Sequence, residues 1–121
     1  MPSRPFHEAV GILVGAAATY AACRMGHVSP SAMHYAAGIV AASVGALMPD
    51  WLEPPFSRRH RGFFHSMFVL AALAVCIAAL LSLRLELWHR LIALSFASGY
   101  TSHLVCDFGT SGRLPLITKG L

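Results

Sequence analysis

Charge is what this sequence has least of. Nine Lys or Arg and five Asp or Glu among 121 residues make 12%, where soluble globular proteins carry about 25%. A water-soluble domain of this length needs a charged surface that so few side chains do not cover, so an ordinary soluble fold is excluded. Cysteine is scarce too. Cys23, Cys76 and Cys106 are odd in number, far apart and each set in an apolar run, which excludes a disulfide framework and a Cys-x-x-Cys zinc knuckle and leaves them as small buried hydrophobes. No long basic stripe accompanies the net charge of +4, so no nucleic-acid surface is expected; the basic residues lie in loops, as they do in membrane proteins. What is abundant is apolar residues, 56% of the chain with a mean hydropathy of +0.62, which excludes a disordered chain and points to a small polytopic membrane protein.

Four stretches, 9–23, 25–49, 62–83 and 91–106, are free of Asp, Glu, Lys and Arg. A helix crossing the hydrocarbon needs roughly 17–25 residues, so the sequence predicts a single all-α domain over 1–121. Its helices are placed near 7–24, 31–49, 62–83 and 88–107, as a compact four-helix transmembrane bundle with a polar loop over 50–61. Thr19, Tyr20 and Arg24 make a poor signal-peptide cleavage region, so the first helix reads as retained. Small residues recur at helical spacing: Gly11, Gly15, Ala18 and Ala22 on the first helix, Gly38, Ala42 and Gly45 on the second. Such strips let helices approach closely where lipid supplies no hydrophobic drive between them. With four spans, Arg4, Arg58, Arg59, Arg61, Arg113 and Lys119 fall on one side and Arg24, Arg84 and Arg90 on the other. That bias places both termini in the cytoplasm.

The same topology gathers the ionisable residues. His7 opens the first helix, Asp50 closes the second, His60 and His65 lie at the opening of the third, and His103 and Asp107 near the end of the fourth. All six then sit at one membrane face, where ionisable groups are costly and mark function. His103 and Asp107 are four apart and project from one helix face, whereas His60 and His65, five apart, do not align, so at least one belongs to the loop. Three histidines and two carboxylates converging from different elements suit a divalent metal, zinc or manganese, as one ion or two. Asp50 and Asp107 at helix C-termini are unfavourable beside the negative end of the helix dipole unless a cation is near. The N-terminus of the third helix beside Arg61 favours an anion or a developing oxyanion. His27, His34 and His89 read as structural, and Met25, Met33, Met48 and Met67 as packing. In the loop, two prolines stiffen the chain, Trp51 and Phe56 suit the headgroup layer, and Glu53 is expected to pair with the arginines around it.

Pro49-Asp50, then His60-Arg61-Gly62-Phe63-Phe64-His65-Ser66, then Gly99-Tyr100-Thr101-Ser102-His103-Leu104-Val105-Cys106-Asp107, with Thr110 and Gly112 beyond and His7 ahead, resemble the LexA-regulated inner-membrane metal-dependent hydrolases. The resemblance runs over most of the chain, which is short beside members that carry further helices or a longer tail; part of the site is then either missing or supplied by another subunit. It implies metal-assisted hydrolysis in which Asp50, His65, His103 and Asp107 hold the ion with His7 as a further ligand. His60 would serve as proton shuttle and Arg61 as anion clamp. From the site's place at the headgroup level, membrane lipids are the expected partners and an amphiphilic, lipid-linked or phosphate-containing ester the expected substrate. The His-x-x-x-Asp ending also resembles the last motif of membrane phosphatidic-acid phosphatases, whose other elements are absent. A non-catalytic small membrane subunit, in a homo-oligomer or larger complex, is the alternative. Haem is poorly suited by histidines mixed with carboxylates at one face.

Overall fold

The computed structural model describes residues 4–53 and 63–108, without the side chains of Arg4 and His65. Among the described residues every regular element is helical: α1 (Arg4–Met25), α2 (Ala32–Leu52), a single 3-10 turn (Phe63–His65), α3 (Met67–Ser82) and α4 (Leu87–Phe108). The all-α, four-helix expectation holds. At 1.5 Å per residue α1, α2 and α4 are each about 32 Å long and α3 about 24 Å.

Local chemistry sets the boundaries. α1 ends in a Schellman turn, in which Val28 N–H donates to Cys23 O at 2.9 Å and His27 N–H to Arg24 O at 3.2 Å. His27 takes the left-handed position at φ 55° that glycine usually fills. α2 opens with a capping box in which Ser31 Oγ accepts the His34 N–H and His34 Nδ1 accepts the Ser31 N–H, so His34 is structural. The helix expected over 62–83 starts later. Ser66, extended at φ −96° and ψ 160°, caps α3 by accepting the Val69 N–H at 3.2 Å, and residues 63–65 form the separate 3-10 turn. Arg90, counted from sequence as a loop charge, is buried in the first turn of α4. It donates from Nε to Leu80 O at 3.3 Å and from its terminal nitrogen to Leu83 O, capping the C-terminus of α3.

α1, α2 and α4 form a tight three-helix core; α3 rests chiefly on α4 and buries none of its own residues. The difference from an even four-helix bundle follows from where the small residues are. A Cβ on Gly99 of α4 would overlap the Ala42 carbonyl, and one on Gly45 of α2 the Phe96 carbonyl, so these two helices meet backbone to backbone. On the α1–α2 side, Cβ atoms at Gly11 and Gly15 would stand 2.9 and 2.8 Å from the methyls of Ala46 and Ala42. α3 carries no glycine and stays outside.

The exterior is apolar. Leu13, Met33, Val40 and Val75 are 71, 70, 62 and 69% exposed, a surface that water disfavours and lipid accepts. By length and composition, the segments Pro5–Met25 and Ala32–Leu52 are able to cross a membrane; Met67–Ser82 is apolar but shorter. α4 has the length and carries Arg90, His103 and Asp107. Of the cysteines, Cys23 is buried in the cluster of Ala18, Ala22, Leu91 and Leu94 as expected, but Cys76 is exposed, because α3 turns that face away from α4.

Candidate metal centre

The small-residue strips lead straight to the ionisable cluster. On α4 one helical turn separates Gly99 from His103 and another separates His103 from Asp107; on α2 the same steps run Ala42, Ala46, Asp50; on α1 they run back from Gly15 to Gly11 to His7. Gly99 lies against Ala42, His103 against Ala46, and Asp50 and Asp107 come together one turn on. Backbone contact between the helices thus fixes where the polar side chains meet.

His103 Nδ1 stands 2.7 Å from Ala46 O. A carbonyl only accepts, so Nδ1 carries the proton and Nε2 is the edge of the ring turned to the carboxylates. Pro49 in the last turn of α2 supplies no N–H to the preceding turn, close to where that carbonyl reaches across. His103 Nε2 lies 3.2 Å from Asp107 Oδ2 and 3.5 Å from Asp50 Oδ1, and His7 Nε2 lies 3.4 Å from Asp107 Oδ1. The His7 and His103 rings stack, with centroids 3.9 Å apart and planes 19° from parallel. His7, His103 and Asp107 are at most 2% exposed. His7 Nδ1 is buried and meets no hydrogen-bond partner among the described residues.

Two arrangements satisfy an imidazole edge between two carboxylates: a second ring proton, or a cation. Two stacked imidazolium rings in van der Waals contact repel each other where no water screens them, whereas one divalent ion answers the two negative charges of Asp50 and Asp107. Ligand atoms about 2.0–2.2 Å from a four-coordinate ion stand about 3.3–3.6 Å from one another. The pairwise separations of 3.2, 3.4 and 3.5 Å are near that spacing, the two histidines meeting different oxygens of Asp107, and one ligand atom from each of His7, His103 and Asp107 fits within a 4.8 Å group. The donors present therefore fit a hard or borderline divalent cation, with His103 oriented by the hydrogen bond to Ala46 O.

Of the residues singled out from sequence, His7, Asp50, His103 and Asp107 come together, from three helices. His65 ends the 3-10 turn and its side chain lies outside the described residues; His60, Arg61, Arg58 and Arg59 also lie outside them. An acidic side chain from within the chain meets the 3-10 turn ahead of α3. Glu53, 7% exposed just past α2, accepts the Phe64 N–H at 3.2 Å, while Tyr100 O–H donates to Phe64 O at 3.0 Å. Both polar atoms of the Phe64 peptide are thus held, and the 3-10 turn that leads to His65 is tethered to α2 and α4. Sequence reasoning missed these tethers. Tyr100 lies within the Gly99–Asp107 motif, but nothing in its spacing names a partner 36 residues away.

A helical chain with an apolar exterior and a cluster of ionisable groups gathered at one end of its core is built as membrane proteins are. The chain belongs to the YdjM inner membrane protein family, which it matches over residues 1–118. No curated protein matches it, and no solved structure does.

Proposed function

We propose that this inner-membrane protein is a multi-pass, metal-dependent hydrolase acting on a lipid-linked or phosphate-containing ester at the membrane interface. The observation that carries this reading is the edge of His103: its tautomer is fixed by Ala46 O, and its Nε2 faces Asp107 and Asp50 beside a stacked His7. His7, His103 and Asp107, with Asp50 and with His65 from the tethered turn, would hold zinc or manganese. When bound, the ion supplies Lewis acidity and lowers the pKa of water toward about 7. Asp50 and Asp107 neutralise the charge, and the Ala46 carbonyl keeps the His103 ring in register. His60 serves as proton shuttle, delivering the proton to the leaving alcohol as water supplies its hydroxyl to the acyl or phosphoryl centre. Arg61 clamps the anionic group.

The apolar exterior supports a multi-pass arrangement. The burial of Arg90 as a cap leaves Arg24 and Arg84 as the exposed arginines at the end opposite the cluster, which strengthens the charge bias for cytoplasmic termini. A non-catalytic membrane subunit with a structural ion, in a homo-oligomer or larger complex, is the second reading. The backbone clamping of the cluster and the uncovered α3 face favour it.

Metal analysis by inductively coupled plasma mass spectrometry of detergent-purified protein, beside a folded His103→Ala/Asp107→Ala variant, tests the site. Near-stoichiometric zinc or manganese in the parent and its loss in the variant are expected, followed by turnover in a screen of lipid esters and phosphoesters. Metal without turnover selects the second reading. No metal in either protein after reconstitution overturns the hydrolase and leaves the non-catalytic subunit, its cluster then a buried polar network without an ion.

A further inference from the structure

Because α3 rests chiefly on α4, a crevice remains between α1 and α3. Val10 and Val14 of α1, Ile77 of α3, and Ser98, Val105 and Cys106 of α4 line a groove of about 410 Å³ there. His7, Val10 and Val14 are spaced i, i+3 and i+7, so the groove runs down the face of α1 that begins at the metal cluster. On α4 its lining residues alternate with His103 and Asp107. The deep end is closed: Ile77 and Leu80 pack on the buried cluster of Ala18, Ala22, Cys23, Leu91 and Leu94. Two of the three hydroxyls along it are spent on their own helix, Thr101 Oγ1 donating to Ala97 O at 2.8 Å and Ser102 Oγ to Gly99 O at 2.7 Å. The walls therefore ask for hydrocarbon.

From Cys106 to Ser98 the groove descends about 12 Å along α4. Half of a hydrocarbon core about 30 Å thick is about 15 Å. We infer that the groove seats one acyl chain of a lipid in the leaflet whose headgroups lie level with His7, His103 and Asp107, so that the linkage between headgroup and chain is presented to the cluster. The assignment rests on the membrane-embedded reading and deepens the proposed hydrolysis by naming how a lipid ester is held. Volume and shape suit one chain, since pockets for ligands of this size run from about 300 Å³ upward.

The test is photocrosslinking of the full chain in vesicles of phosphatidylethanolamine and phosphatidylglycerol that contain a phosphatidylglycerol with a diazirine midway along one acyl chain. Sites are mapped by tandem mass spectrometry and metal content is measured on the same preparation. A severalfold excess of label at Val10, Val14, Ser98 and Val105 over the more exposed Leu13, Val40 and Val75 is expected. Val105→Trp, which fills the groove, should remove the excess, while Val75→Trp on the outer face of α3 should leave it. Equal labelling of groove and exterior overturns the acyl-chain site; if the metal is retained, the metal centre stands without it. Groove positions shielded from lipid, with crosslinks between chains, assign the groove to a helix of a second copy and also overturn it. Excess groove label in protein that binds no metal keeps the lipid site and removes the hydrolase reading.

Discussion

Replacing Gly99 by Ala puts one methyl into the seam between α2 and α4, and the consequence depends on what that methyl meets. The obstacle is the Ala42 carbonyl, which is backbone and does not rotate away. Alanine gains about 0.8–1.0 kcal/mol over glycine in a helix interior, and overpacking of a rigid contact costs about 1–3 kcal/mol. A net loss of up to about 2 kcal/mol is expected. Gly11→Ala differs: its methyl meets the Ala46 methyl at 2.9 Å, with the nearest backbone atom an ordinary 3.4 Å away. Ala46→Gly removes that obstacle and should rescue Gly11→Ala to within about 0.5 kcal/mol of the parent. Ala42→Gly leaves its carbonyl in place and should not rescue Gly99→Ala.

The assay is unfolding in mixed micelles of dodecylmaltoside and sodium dodecyl sulfate, followed by far-ultraviolet circular dichroism, for both double-mutant cycles. The cycle at 11 and 46 should give a coupling of about 1 kcal/mol and that at 99 and 42 none beyond error. Metal content carries the second reading of the experiment. Gly99 is one turn from His103, so pushing α4 off α2 lengthens the His103 Nδ1 contact with Ala46 O, and losing such an outer-shell partner weakens metal affinity about 10–100-fold. If Ala42→Gly rescues Gly99→Ala as fully as Ala46→Gly rescues Gly11→Ala, the backbone-contact argument is refuted.

Tyr100→Phe removes the hydrogen bond to Phe64 O and should cost about 1 kcal/mol, with faster amide exchange over 63–69 as the local signature. Arg90→Ala strips the cap from α3 and should cost about 1–3 kcal/mol, fraying the helix at Leu80 to Leu83 in hydrogen exchange; Arg90→Lys should recover only part, since an ammonium does not reproduce the fork of a guanidinium. His27→Gly relieves a left-handed residue and should raise stability by roughly 0.5–1 kcal/mol in the same micellar titration.

How much was legible in the sequence depended on whether the signal was periodic or local. The helices were, because long neutral runs and glycine spacing are properties of neighbouring residues. So was the meeting of His7, Asp50, His103 and Asp107, because alternating helix direction brings the ends of successive helices to alternate faces. The peripheral place of α3 was not read, although its sequence holds a reason: it has alanines at helical spacing but no glycine to bring its backbone against another. Arg90 was misjudged, because a charged residue beside a loop reads as solvated, whereas Arg90 serves the carbonyls of the preceding helix; the contact of Glu53 with an amide eleven residues on was not foreseen either. Such contacts are set by how the chain turns, and no pattern of residue types records them.

The relation between packing and chemistry in this chain is one of register. Had the strip of small residues on α4 been offset by one position from His103 and Asp107, those side chains would be rotated by about 100° from the α2 seam, out toward α1 and the groove or toward α3. Instead Gly99, His103 and Asp107 share one line, Ala42, Ala46 and Asp50 a second, and Gly15, Gly11 and His7 a third. Backbone contact through glycine and alanine permits little adjustment, because no flexible side chain lies between the helices to absorb a shift. The His/Asp cluster is therefore held with the stiffness of the helices themselves, which is what the proposed metal site would require. A small protein with few buried large side chains gains from this arrangement: the contacts that define its fold are also the ones that aim its polar groups.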